Sequence, residues 1–345
     1  MNNGRHLTRA YVSVDRDSPQ RSALAWEANF RAPQTIGDNI RMEEDTRIHM
    51  HKPSICAVIV LYRERAENSR TAMTMRMALA TDPSLASRLL LCVYDNSPAP
   101  EPVSRDIFPA ETLIFQTGVN GGLPSAYNKA LEIAEARGIS WLLLLDSDTG
   151  ITAEFLNACL RAIKEADASP QIAAIVPHVL EGGIAHSPRK MEWLRRPALS
   201  SEASGALTGE LIALNSGTAV RVSAVEALGG FSSEFWLDYL DYWLFRALQR
   251  RGLHLFVLRE TVEHSLSLAD AGTRMSMERY RNMLDAEHYY VASYGSAWER
   301  VRLKLVLLYR AARFAREPLN RRFLPLAVKN VFRWQPGEPP QPPHS

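Results

Sequence analysis

Uninterrupted apolar runs dominate the first half of the chain: ICAVIVLY (55–62), RLLLCVYDNS (88–97), WLLLLD (141–146) and IAAIVPHV (172–179). A strand with one wet face alternates apolar and polar residues, so runs without alternation require a sheet covered on both sides. Helix-length stretches lie between them, about 66–80, 118–138 after a glycine-rich start, and 152–167, punctuated by Asp82-Pro83 and Gly138. Strand and helix in alternation predict βαβ units, hence an α/β fold with a doubly wound, mainly parallel sheet flanked by helices. ETLIFQT (111–117), LIALNSGTAVRV (211–222) and HLFVLRETVEH (254–264) read as further strands.

Sheets of this kind bind ligands beyond the carboxyl ends of their strands. Asp95, Asn96, Asp146 and Asp148 all fall at such ends. In WLLLLDSDTG a strand that wants burial runs straight into two carboxylates, an arrangement that is costly unless a cation sits between them. In an extended chain, residues at i and i+2 point the same way. Two oxygen ligands so placed suit Mg²⁺ or Mn²⁺, which also take phosphate oxygens. The competing reading is that Asp148-Thr149-Gly150 merely begins the next helix.

Composition narrows the class. The chain has 345 residues, 46% hydrophobic and 23% charged, with a net charge of +2, so it is no general polyanion binder. Cys56, Cys92 and Cys159 form no C-x-x-C pair, which fits reduced structural thiols. No apolar run approaches the ~18 residues that span a bilayer, and the polar N-terminus lacks the apolar core of a signal peptide. A cytoplasmic protein is expected, or one peripheral on the cytoplasmic face of the inner membrane. Residues 1–52 are expected to be a mobile extension, with Met50 as an alternative translation start. A catalytic domain follows over 53–270, then a basic helical region over 271–334 and a Pro-rich disordered tail over 335–345.

Several ordered segments together resemble the inverting glycosyltransferases of family 2, with the GT-A fold, and within them the rhamnosyltransferase-like branch. They are the first strand into Tyr62, Tyr94-Asp95-Asn96-Ser97, G-V-N-G-G-L…A-Y-N at 118–128, W-L-L-L-L-D-S-D, N-S-G-T-A at 215–219, G-G-F…F-W-L-D-Y-L-D at 229–241, and the late His264. The resemblance implies a donor-binding set of Tyr62, Asp95, Asn96, Asn120, Gly122, Asn128, Asp146 and Ser147. Asp95 would hold the base or ribose; an Asx-turn with Asn96 and Pro98 is its alternative. It also implies that His264 completes a metal site with Asp146 and Asp148. Asp238 and Asp241 are three apart, a spacing that places both on one face of a helix start. The relatives' pattern favours Asp238 as the general base, leaving Asp241 to hold an arginine or cap the helix. Both could instead be helix N-terminal charges. Relatives often carry an acid where this chain has Trp243.

The implied reaction moves a sugar, with rhamnose on dTDP the candidate and UDP or GDP sugars using the same constellation. The acceptor would be a saccharide or lipid-linked saccharide of a bacterial surface polymer. A sugar-nucleotidyltransferase should carry a glycine-rich basic loop after the first strand, and LYRERAENS has no glycine. A catalytically inactive scaffold subunit would not need the four acids and the histidine. Between Glu299 and Arg333 ten Lys and Arg residues face two Glu. Val301, Leu305, Leu308, Ala312, Ala315 and Leu319 form one helical stripe there, which fits either a helix lying on an anionic membrane or one packed on the catalytic domain. Nucleic acid is not an expected partner, because no recognised binding fold surrounds this cluster.

Overall fold

A computed structural model describes residues 52–192, 196–264 and 275–333. The expected extension over 1–52 (save Lys52) and the Pro-rich tail lie outside these. The four long apolar runs become β1 (Ile55–Leu61), β2 (Leu89–Asp95), β4 (Trp141–Asp146) and β5 (Ile172–Glu181), with β3 (Glu111–Gln116) at one edge. The strands β1, β2, β3 and β4 are mutually parallel where they pair.

Alternation along β1 assigns its two faces. Ile55, Ala57, Ile59 and Leu61 share a core cluster with α1 (Arg70–Thr81) and α3 (Ala153–Asp167). Cys56 points the other way, with its thiol 3.8 Å from the Ala130 carbonyl of α2 (Gly122–Ala136). Each helix layer buries one set of alternate residues, which is why the runs carry no polar position. Burial of each such Leu or Ile contributes about 1.5–3 kcal/mol. Cys56 and Cys92 are buried with sulfurs 3.7 Å apart, and Cys159 is buried in α3.

The second half departs from a simple βαβ series. The expected strand over 211–222 is two pieces. The first is β9 (Leu211–Ile212), paired with β7 (Arg189–Lys190) in a ribbon of its own. The second is β10 (Thr218–Arg221), inserted antiparallel between β4 and β5. The break is a turn at Asn215-Ser216-Gly217. Thr218 donates from its amide to the Asn215 carbonyl at 2.9 Å, and Gly217 takes φ +79°, where an added Cβ would lie 3.0 Å from Pro177. β11 (His254–Glu263) runs parallel to β5, and β8 (Gly205–Leu207) closes that edge antiparallel; β6 (Ile184–Ser187) folds back on the end of β5. The main sheet therefore reads β3-β2-β1-β4-β10-β5-β11-β8.

Two shorter helices, α4 (Val222–Ala227) and α5 (Leu240–Arg250), precede β11. The expected C-terminal helical extension is α6 (Met277–Tyr294), α7 (Ala297–Arg316) and α8 (Leu324–Val331). It packs back on α5: Arg246 donates to both carboxylate oxygens of Glu299 at 2.8 and 2.7 Å, and Phe235 meets the rings of Tyr289, Tyr290 and Tyr294.

Candidate active site

A cavity of about 910 Å³ opens at the carboxyl ends of β1 and β4. On one wall, β4 delivers Asp146 and the chain turns at once through Ser147 and Asp148 instead of staying extended. The start of α1 fixes that turn. Ser69 Oγ and the Thr71 amide donate to the Ser147 carbonyl at 2.8 and 3.0 Å. The Thr71 hydroxyl lies against the Asp146 and Thr149 carbonyls and accepts from the Thr149 amide at 2.9 Å. His264, at the end of β11, bridges to Thr149 and places Nδ1 3.1 Å from Asp148 Oδ1.

Ligand atoms of Asp146, Asp148 and His264 thus lie within 4.8 Å of one another, as a shared ion requires. Burial first, and then the charge of Asp146, raise the Asp148 carboxyl above its usual range, against the lowering effect of His264. A divalent cation would relieve that cost, and this donor set fits one. Ser216, carried in by the turn before β10, donates to Asp146 Oδ2. The amide oxygen of its buried neighbour Asn215, which lines the cavity, has no partner among the described residues.

The two later acids line the same cavity and differ in their contacts. Tyr239 adopts φ +66°, so α5 begins only at Leu240 and Asp238 precedes it instead of sharing a helical face with Asp241. Asp238, not Asp241, holds an arginine: Arg279 of α6 donates to it from both Nη1 and Nη2, the latter at 2.8 Å. Asp241 accepts from the Tyr242 amide at 2.8 Å and has no cationic partner among the described residues. Burial pushes its carboxyl up to about 7; the Tyr242 hydrogen bond opposes this, and the charges of Asp238 and Asp146 add to it.

The remaining expected residues divide. Tyr62, Asn96, Asn120, Gly122 and Ser147 line the cavity. Asn96 clamps the glycine loop, donating to the Gly122 carbonyl at 3.0 Å and accepting from the Gly121 amide at 3.2 Å. Gly122 takes φ +73°, and a Cβ there would sit 2.2 Å from the Trp236 carbonyl, so only glycine lets these segments touch. Asp95 is buried behind this layer, accepting from the Ser97 amide at 2.9 Å and from Gln116 at 3.4 Å. Asn128 is not in the cavity wall. Its amide is spent on the Phe231 backbone, donating to the carbonyl at 2.9 Å and accepting from the amide at 2.7 Å.

Sequence reasoning missed Ser216 and Arg279. The N-S-G-T-A segment carried a signal for the first, since Asn-Ser-Gly favours a turn. Nothing local singles out Arg279, which reaches Asp238 across 41 positions of chain.

No family model and no curated protein matches this chain. Solved structures do. The crystal structure of S. aureus TarS 1–349 aligns with a TM-score of 0.48 at 13% identity, covering 82% of this chain and 93% of that one. The same protein in complex with UDP-GlcNAc aligns at 0.45 and 14%, covering 76% and 73%.

Proposed function

We propose that this chain is an inverting, metal-dependent glycosyltransferase that moves a sugar from a nucleoside diphosphate to a hydroxyl of a saccharide or lipid-linked saccharide. The observation that carries the reading is that one cavity is lined both by a carboxylate–carboxylate–imidazole set suited to a diphosphate-bound cation and by a carboxyl raised to about 7, which has no cationic partner among the described residues.

Asp146, Asp148 and His264 would hold Mg²⁺ or Mn²⁺, which supplies charge neutralisation for a diphosphate leaving group. Asn96, Asn120 and the 118–122 loop shape the donor side, with buried Asp95 fixing the turn at Ser97. Asp241 takes the proton from the acceptor hydroxyl, because its affinity for a proton near neutral pH matches that task. The acceptor oxygen then bonds to the anomeric carbon as the carbon–oxygen bond to phosphate breaks, and the electron pair leaves with the nucleoside diphosphate. One displacement inverts the anomeric configuration. Asp238, already engaged by Arg279, is assigned to shaping the acceptor wall. A dTDP-linked rhamnose is the donor that the sequence resemblance favours, and a surface polysaccharide or glycolipid the product.

The test is thermal stability in the presence of dTDP, UDP, GDP, CDP or ADP, with and without Mn²⁺. A ligand at about a hundred times its Kd adds about 2.7 kcal/mol, a shift of a few degrees. One diphosphate should stabilise only with metal, and Asp148→Ala should abolish the shift. Equal behaviour of all five, or a shift that survives Asp148→Ala, would overturn the assignment.

A further inference from the structure

The helix α7 is apolar on two faces. Leu303, Leu307, Ala311 and Phe314 are buried against the rest of the molecule. About 140° around the helix, at 100° per residue, lies a second stripe. Trp298, Val301, Leu305, Leu308 and Tyr309 are between 49% and 70% exposed, and Ala312 and Ala315 continue the line. The stripe expected from sequence therefore exists but faces outward, leaving an unbroken apolar band on the surface.

We propose that this band is a membrane-docking surface that lies in the headgroup layer of an anionic bilayer. Charge chooses this occupant. Exposed Arg300, Arg313 and Arg316 stand on the same helix, and exposed Arg321 and Lys329 follow in the next segments. Basic residues around an apolar band match anionic headgroups. A second copy would set like against like across a twofold axis, bringing this basic rim against itself. The chain's own tail, QPGEPPQPPHS, has no large apolar residue to fill the band. Among the described residues no helix is long and apolar enough to cross a membrane, so the contact is one of lying on the surface. The inference stands apart from the proposed activity, with one consequence for it: Arg310 of the same helix lines the cavity. Docking would hold the cavity within about one helix diameter, ~10 Å, of the lipid surface.

The experiment is flotation of the full chain with vesicles of phosphatidylcholine alone or with 30% phosphatidylglycerol (roughly the anionic range in which basic surfaces bind). The wild type should float with the anionic vesicles, bind phosphatidylcholine at least tenfold less, and release as salt is raised. Leu305→Glu/Leu308→Glu changes exposed positions, so it should keep its melting temperature while losing at least tenfold in vesicle binding. Binding by the double variant equal to wild type overturns the proposal. So does absence of vesicle binding, or a wild-type dimer that the same double variant converts to monomer.

Discussion

Asp241 in the cavity wall and Glu287 in α6 are both carboxylates withdrawn from water, and their surroundings act on them in opposite directions. Burial raises Asp241 to about 7, and no cation among the described residues answers it. Burial would raise Glu287 as well, but Arg310 donates to it from both Nη atoms at 2.5 and 3.1 Å and holds it below the usual range. In the helical platform Glu287 meets its counter-charge directly, whereas Asp241 in the cavity meets none among the described residues. The contrast sets a paired, fold-keeping carboxylate against one whose raised pKa is what the proposed base requires.

The largest expected effect is on turnover. Asp241→Asn should cut sugar transfer by about 10²–10⁴-fold, the usual range for removal of a general base. It should also stabilise the protein at high pH. A carboxyl whose folded pKa lies above its unfolded value of about 3.9 contributes stability below that value, and the contribution is lost as pH rises through 7. Chemical denaturation at pH 8 should show Asp241→Asn more stable by about 2 kcal/mol, a figure discounted for partial exposure, and the difference should close near pH 4. Loss of both activity and stability would place Asp241 with Glu287.

Glu287→Gln should do the reverse. It leaves Arg310 buried without its counter-charge and should cost about 3 kcal/mol in denaturation, while the folded fraction keeps its response to nucleotide and metal. The pH profile of turnover sharpens the comparison. Activity should rise with pH to a plateau, half-reached near 7, as Asp241 loses its proton. Asp238→Asn removes a neighbouring negative charge and should move that midpoint down; an unmoved midpoint would separate Asp241 from the profile.

The smallest effect belongs to the platform. His288 is lowered to about 4 by burial first and then by Lys304 and Arg333. A histidine so depressed contributes stability that is complete above about 6.5 and is lost as pH falls from there toward 4. Buried as it is, it should account for about 1–2 kcal/mol of acid destabilisation at pH 5, which His288→Gln should flatten.

The unbroken apolar runs made the first half of the fold legible, because a strand covered on both faces has no other way to be written. The gathering of Asp146 and Asp148 at a strand end was also open to reading, since paired carboxylates ask for a counter-charge, but the reading kept them extended where the chain turns at Ser147. What escaped depends on single backbone conformations and long reach. Tyr239 in the left-handed region starts α5 late and breaks the i, i+3 relation between Asp238 and Asp241. The turn at Asn215–Gly217 makes two strands of one and delivers Ser216 to Asp146. In α7 the reading found the stripe but could not say which way it faced, because a second stripe competes for the interior.

The contact of Gly122 with the Trp236 carbonyl links the 118–122 loop to the segment that carries Asp238 and Asp241, and Leu123 adds an amide hydrogen bond to that carbonyl at 2.8 Å. Residues more than a hundred positions apart are thereby one mechanical part. For anyone retargeting this scaffold, exchanging 118–123 alone would import a loop cut for a different opposite wall. The unit of transplantation is the loop together with 229–241, and libraries that vary one while freezing the other will mostly sample backbones that collide.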